Sequence, residues 1–272
     1  EYLDLLNGKN TCQKTSLLFN PHRLDTRSNS SKHSIFSGLQ TDSFCSGLAR
    51  ATLFKKDKVR DLLYQVIQLG INGVQYINEF PPHIARSIAL GYNISSNSKI
   101  LDPCAGWGGR MIGVSTICNN YTCFEPSTRT SDGLINLSVF IKKFRAEFNA
   151  SVNTLPFEDS HLTEAYDFAL TSPPYYDTEI YTDEETNSLN RYDTFDKWVS
   201  GFFLPMISKT MDALKYGCSF VLNIGSRQYP LSDILTDNFY SKYSIVNKGN
   251  LLSGNAGLGK SGDGETFYEI TK

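Results

Sequence analysis

From Lys99 onward the chain alternates short apolar runs with amphipathic stretches at helical spacing, and this alternation restricts the fold more than any other feature. Strands are expected at 99–104, 121–125, 152–155, 167–171 and 218–224. Helices are expected at 109–118, 131–148, 195–214 and 231–235, with Leu134, Leu137, Phe140, Ile141 and Phe144 on one face of the second. Strand–helix alternation of this kind means a parallel sheet covered on both faces. Segments 243–247 and 266–271 read as two further strands joined by a Gly-rich loop, a hairpin that adds an antiparallel edge. The expected class is α/β: a Rossmann-like, mixed and mostly parallel sheet, helices on both faces, and a C-terminal antiparallel hairpin.

Upstream the signal changes. Residues 1–56 are rich in Ser, Asn, Thr and Lys, show no sustained period, and read as irregular. Val59, Leu62, Leu63, Val66 and Ile67 follow helical spacing and predict a helix over 57–69. The string Asn78-Glu-Phe-Pro-Pro82 ends one element and opens another, with Ile84, Ile88 and Ala89 continuing at helical spacing. The expected organisation is an N-terminal segment 1–78, a candidate for target recognition or partner binding, and a catalytic domain 79–272. No repeat of 20–50 residues is visible.

Composition narrows the class. Apolar residues make up 40% of the 272, enough to bury a core and exclude wholesale disorder. No apolar run approaches the ~20 residues of a membrane helix, so no membrane partner is expected. A net charge of −2 excludes binding to nucleic acid by bulk positive charge, though not through a local basic groove. The six cysteines are scattered with no C-x-x-C pair and read as reduced thiols. Cys12, His22, His33 and Cys45 are spaced as no compact zinc module is, and no metal is expected. Glu1-Tyr2-Leu3-Asp4 lacks a positive-then-apolar leader pattern, so the expectation is a chain that is not secreted: cytoplasmic, or nuclear in a eukaryote.

Asp102-Pro103-Cys104-Ala105-Gly106-Trp107-Gly108-Gly109-Arg110 follows an apolar strand and opens a helix. In an open parallel sheet, ligands bind at the carboxyl ends of strands, and glycines let backbone approach them. Glu125 ends the next strand, where a carboxylate can accept hydrogen bonds from a ribose diol. Phe157-Glu158-Asp159 follows the third strand, where an apolar face and a carboxylate suit an adenine ring. Met111 stands where a dinucleotide fingerprint needs its third glycine, so a single nucleoside without phosphate fits better than a dinucleotide.

Thr171-Ser172-Pro173-Pro174-Tyr175-Tyr176 is the most informative string. Two prolines remove two N–H donors and stiffen the backbone, including at Ser172. What remains is a rigid turn of free carbonyls, one hydroxyl and a flat ring. An amino group on a planar base matches that set: the acceptors take its N–H bonds while Tyr175 stacks on the base.

Together, the glycine turn and Thr-Ser-Pro-Pro-Tyr-Tyr resemble the S-adenosylmethionine-dependent amino-methyltransferases of DNA, over roughly residues 80–272. The resemblance implies a class I methyltransferase fold with S-adenosyl-L-methionine as cofactor. It places Asp102, Pro103, Cys104, Ala105, Gly106 and Gly108 beside the methionine part, Glu125 on the ribose, and Phe157 with Asp159 on the adenine. Phe80 and Pro82 belong to an element similar to the one that closes over the methionine carboxylate. Ser172, Pro173, Pro174 and Tyr175 become the catalytic set. A leading serine favours cytosine-N4 over adenine-N6 as the target. DNA is the implied partner and RNA ranks behind it; a base within a duplex has to be flipped out. The implied biology is DNA methylation of the restriction–modification kind. The alternatives are an RNA base amino-methyltransferase and a catalytically weak nucleic-acid-binding subunit. Trp107 is bulkier than the family's usual residue, and Gly109-Arg110 replaces its Gly-Thr or Ser-Thr.

Three more strings stand out. Gly254-Asn-Ala-Gly-Leu-Gly259-Lys260-Ser261 matches a phosphate loop but lacks a following helix, so it reads as a hairpin loop. Lys55–Arg60 and Lys142–Arg145 are the densest basic clusters and read as solvated helix faces. The acidic stretch 177–185 is expected to form a mobile loop over the pocket.

Overall fold

The computed structural model describes residues 1–9, 15–29, 31–54, 77, 79–225, 228–250 and 265–272. The predicted helix 57–69, the basic cluster 55–60, Cys12, Asn78 and the phosphate-loop-like string 254–261 lie outside them. Nine strands occur among the described residues: β1 (Arg27–Ser28), β2 (Lys99–Asp102), β3 (Asn120–Phe124), β4 (Asn149–Asn153), β5 (Tyr166–Thr171), β6 (Glu179–Ile180), β7 (Leu214–Ile224), β8 (Ser244–Asn250) and β9 (Thr266–Thr271).

Seven of them form one sheet in the order β4-β3-β2-β5-β7-β9-β8. Pairing is parallel from β4 through β7, and β9 runs antiparallel to both β7 and β8. This is the Rossmann-like, mostly parallel sheet with a C-terminal antiparallel hairpin that the alternation predicts. Strand order reverses at β2, so the crevice at the carboxyl ends of β2 and β5 is the topological switch point where ligands bind in such sheets.

Alternate residues of the central strands feed two cores. Ile100, Phe168, Leu170 and Val221 point into one, with Met111, Leu134, Leu137 and Ile141. Leu101, Ala169, Phe220 and Leu222 point into the other, with Phe157, Trp198, Phe203 and Met206. Burial on both faces explains why these strands read as apolar runs and not as alternating patterns.

The expected helix 195–214 is built as three consecutive pieces: Phe195–Trp198, a π-helical turn Val199–Phe203, and Leu204–Ala213. Pro205 has no N–H to give the carbonyl of Gly201, four residues back. That carbonyl accepts the Tyr192 hydroxyl instead, at 2.9 Å.

The reading of 1–56 as irregular is corrected. Helices span Tyr2–Leu6, Thr15–Phe19, Ile35–Leu39 and Asp42–Phe54. Three of the four are five residues long, too short to display a period. The acidic stretch 177–185 is also corrected, since it is not a free loop: β6 pairs with β1, and Glu184 accepts hydrogen bonds from the Thr128 amide and hydroxyl.

The chain forms two compact units. One comprises Glu1–Asn20, Phe80–Tyr176 and Glu184–Lys272; the other comprises Pro21–Glu79 and Asp177–Asp183. The first holds the sheet. In the second, Arg23 and Glu79 form a buried ion pair at 2.6 Å. No helix among the described residues is long and apolar enough to cross a membrane.

Candidate active site

The glycine turn connects β2 to the helix Gly109–Val114. Gly106 and Gly108 both have positive φ, at 54° and 94°. A side chain at Gly108 would also strike Leu137 and Leu134, at 2.6 and 2.9 Å from its Cβ. A Cβ at Gly106 would meet nothing within 4 Å, so the backbone there borders open space.

Asp102 lies beneath this turn, 1% exposed. One carboxylate oxygen accepts from Arg110 Nε at 2.8 Å and from the Tyr121 hydroxyl at 2.5 Å. The other accepts from Thr171 Oγ1 at 2.7 Å and the Cys104 amide at 3.3 Å. Arg110 also donates through Nη2 to the Cys104 carbonyl, and its guanidinium sits 5.3 Å from the centre of the Phe80 ring. A buried carboxylate needs this much compensation. Asp102 therefore organises the turn from below.

Glu125 is partly buried just past β3. Its two oxygens accept from the Gly106 amide at 3.1 Å and the Ser127 amide at 3.0 Å. Burial pushes its carboxyl up to about 7 against the pull of those two N–H groups. The Ala105 amide donates to the Phe124 carbonyl at 2.9 Å, which pins the turn to the end of β3. Pro103 is buried, and Pro82, also buried, opens the helix Pro82–Gly91.

Of the pair expected on the adenine side, Phe157 is 2% exposed and packs edge-on against Phe124 at 4.9 Å. Asp159 is taken up by Arg191, which donates to both its oxygens at 2.6 and 2.9 Å and holds its pKa low. The neighbouring Glu158 is the more buried carboxylate; it accepts from the Tyr192 hydroxyl at 3.2 Å, and burial raises its pKa.

The Ser-Pro-Pro-Tyr turn leaves the end of β5, next to β2 in the sheet. Ser172 Oγ lies 3.3 Å from the Tyr175 hydroxyl and 3.4 Å from Asn223 Nδ2. Among the described residues no hydrogen bond reaches the carbonyls of Pro173 or Pro174. The Tyr175 ring rests over Gly225, where an added Cβ would come within 3.2 Å of it. Tyr176 adopts a left-handed φ of 53°, and its ring sits edge-on to Phe195, Trp198 and Tyr229 at 5.3–5.9 Å.

Thr171 joins the two motifs. Its hydroxyl donates to Asp102 and accepts from the Cys104 amide at 3.1 Å. A two-way bond of this kind fixes the Pro-Pro turn against the glycine turn to within a hydrogen bond. Sequence reasoning placed Thr171 in the motif but gave it no role. It also missed Arg110 as the counter-charge of Asp102; a basic residue eight positions after a strand-ending aspartate was the available signal.

Cys104 is protonated at neutral pH, because burial raises its thiol pKa well above the ordinary range. A depression of about 450 Å³, lined by Ser160, Leu162, Ala165, Lys209 and Ala213, lies by the segment leading into β5, where Lys209 donates to the carbonyls of Phe157 and Glu158.

No protein-family model and no curated protein matches the chain. Solved structures with a similar course of the chain include an rRNA methylase from Streptococcus thermophilus (11% identical, 72% of this chain and 98% of that one, TM-score 0.46). Others are a SAM-dependent O-methyltransferase from Thermotoga maritima (9%, 72% and 67%, 0.47) and a tRNA methyltransferase from Aquifex aeolicus (14%, 71% and 70%, 0.46). Likeness of that degree leaves the chemistry to be read from this chain's own residues.

Proposed function

We propose that this chain transfers a methyl group from S-adenosylmethionine to the exocyclic amino group of a nucleic-acid base, cytosine N4 in DNA before adenine N6. The observation that carries the reading is Thr171, whose hydroxyl ties the Pro-Pro turn to the glycine turn through Asp102 and Cys104. Two sites meant to exchange a methyl group have to be held at a fixed separation, and this bond supplies that.

The donor's residues fit on two counts. Open space fronts the positive-φ Gly106, and Glu125 presents a partly buried carboxylate beside it. On this reading Glu125 takes the ribose diol, and Glu158 joins Phe157 at the adenine, since Arg191 pairs with both carboxylates but Glu158 is the buried one and Asp159 is exposed. Held by the glycine turn, Glu125, Phe157 and Glu158, S-adenosylmethionine would supply an electrophilic methyl carbon to the amine lone pair, the sulfur keeping the bonding pair and the surplus amine proton leaving to solvent.

The chain's own work is on the amine. Its lone pair is delocalised into the base, so it attacks poorly. Ser172 Oγ and one free carbonyl of the Pro-Pro turn accept its two N–H groups and favour a pyramidal nitrogen. Positioning and fixed dipoles supply the rate. Tyr175 stacks on the base, worth ~1–3 kcal/mol and so partly offsetting the few kcal/mol of flipping. The protonated Cys104 argues against a covalent enzyme intermediate.

The base amine is the same group in RNA, and the residues named address the amine and the ring face, so RNA is carried as an arm of every assay. The test is a split between two measurements. Tyr175→Ala should lower methyl transfer by about 10-fold or more while the calorimetric affinity for S-adenosylmethionine stays within about twofold. Equal loss of both would contradict the assignment.

A further inference from the structure

At the carboxyl rim of the sheet three adjacent strands bring polar side chains together. β5 aligns with β7 at Thr171 and Leu222, which sets Ser172 beside Asn223. β9 aligns with β7 at Thr266 and Ile224, which sets Glu265 at the same rim. Asn223 Nδ2 donates to Glu265 Oε2 at 2.6 Å and to Ser172 Oγ at 3.4 Å, and Ser172 Oγ lies 3.3 Å from the Tyr175 hydroxyl. Asn223 is completely buried between Leu222 and Ile224, yet among the described residues its Oδ1 has no hydrogen-bond partner. An orphaned buried acceptor weakens a fold, so an apolar residue would serve the core better at this position.

The direction of the network follows from donor and acceptor types. Glu265, when ionised, only accepts. It can face the NH₂ of Asn223 but not its oxygen, so the amide cannot turn over. The NH₂ therefore also faces Ser172 and occupies one lone pair of Oγ. Ser172 cannot donate to the NH₂ of Asn223; when it gives its O–H to the Tyr175 hydroxyl 3.3 Å away, its second lone pair is available to an incoming N–H.

We propose that Asn223, oriented by Glu265, is a positioning residue that fixes Ser172 Oγ as an acceptor for the target amine. This rests on the amine-methylation reading above.

The test uses the full chain, S-adenosylmethionine and whichever nucleic acid the wild type methylates. Asn223→Leu should keep or raise Tm and leave KM for S-adenosylmethionine unchanged, while kcat falls about 10- to 100-fold. Glu265→Ala, at an exposed residue, should also lower kcat, and Glu265→Gln should recover most of it because the glutamine oxygen can accept from Asn223. If Asn223→Leu does not fold, the two Glu265 variants decide the matter. An active wild type with unchanged kcat in Asn223→Leu, or Glu265→Ala and Glu265→Gln alike, would overturn this inference and leave the methylation reading standing. A wild type that methylates neither DNA nor RNA would overturn both.

Discussion

Glu125 shows how one side chain ties the chemistry to pH. Desolvation holds its carboxyl at about 7, where an ordinary glutamate titrates near 4.5. A raised acid stabilises the fold in its neutral form; that contribution is complete below about 4.5 and is lost as pH rises through about 7. A ribose diol, donating its hydroxyl protons, favours the opposite, ionised form. Affinity for S-adenosylmethionine should therefore rise between about pH 6 and 8, by up to an order of magnitude, while Tm declines slightly. Calorimetry across that window checks the first trend, and Glu125→Gln should flatten it. A pH-independent affinity in the wild type would separate Glu125 from the ribose.

The glycine turn is held by local contacts that start at its two ends. Asp102 ends the strand, Arg110 neutralises it from inside the helix, and Gly108 bends the chain where Leu134 and Leu137 leave no room for a Cβ. Gly108→Ala imposes a left-handed φ on alanine, about 1–2 kcal/mol, and an overlap costing about 1–3 kcal/mol more. Thermal denaturation should show Tm falling by several degrees, and an unchanged Tm would mean the turn repacks freely. The central strands and their helices were legible because burial on both faces writes continuous apolar runs into the sequence. Strand and helix ends were less so: the helix expected at 131–148 runs Thr128–Lys142, starting where the Ser127 hydroxyl caps it. Three of the four helices in the N-terminal segment were illegible because five residues make little more than one turn. The π-helical turn was hidden too; Pro205 marked it, but its meaning depends on Tyr192, which reaches Gly201 from outside that helix.

For the whole molecule, both motifs were visible as strings, but what joins them was not. Thr171 to Asp102 spans 69 positions, Asn223 to Ser172 spans 51, and Asn223 to Glu265 spans 42. Such links exist only once β2, β5, β7 and β9 lie side by side, and no local pattern encodes them. The same topology brings Arg191 onto both carboxylates that follow Phe157, at 2.6 Å from Asp159 and 3.4 Å from Glu158. The account as a whole stands on a methyl group crossing from the glycine turn to an amine held by the Ser-Pro-Pro-Tyr turn. Incubating the chain with S-adenosylmethionine carrying a deuterated methyl, with duplex DNA, single-stranded DNA and RNA in parallel, followed by nucleoside mass spectrometry, reads that step directly. The account predicts the label on an exocyclic nitrogen, N4-methylcytosine in DNA foremost; label on a ring carbon or a ribose oxygen, or on no nucleoside at all, would contradict it.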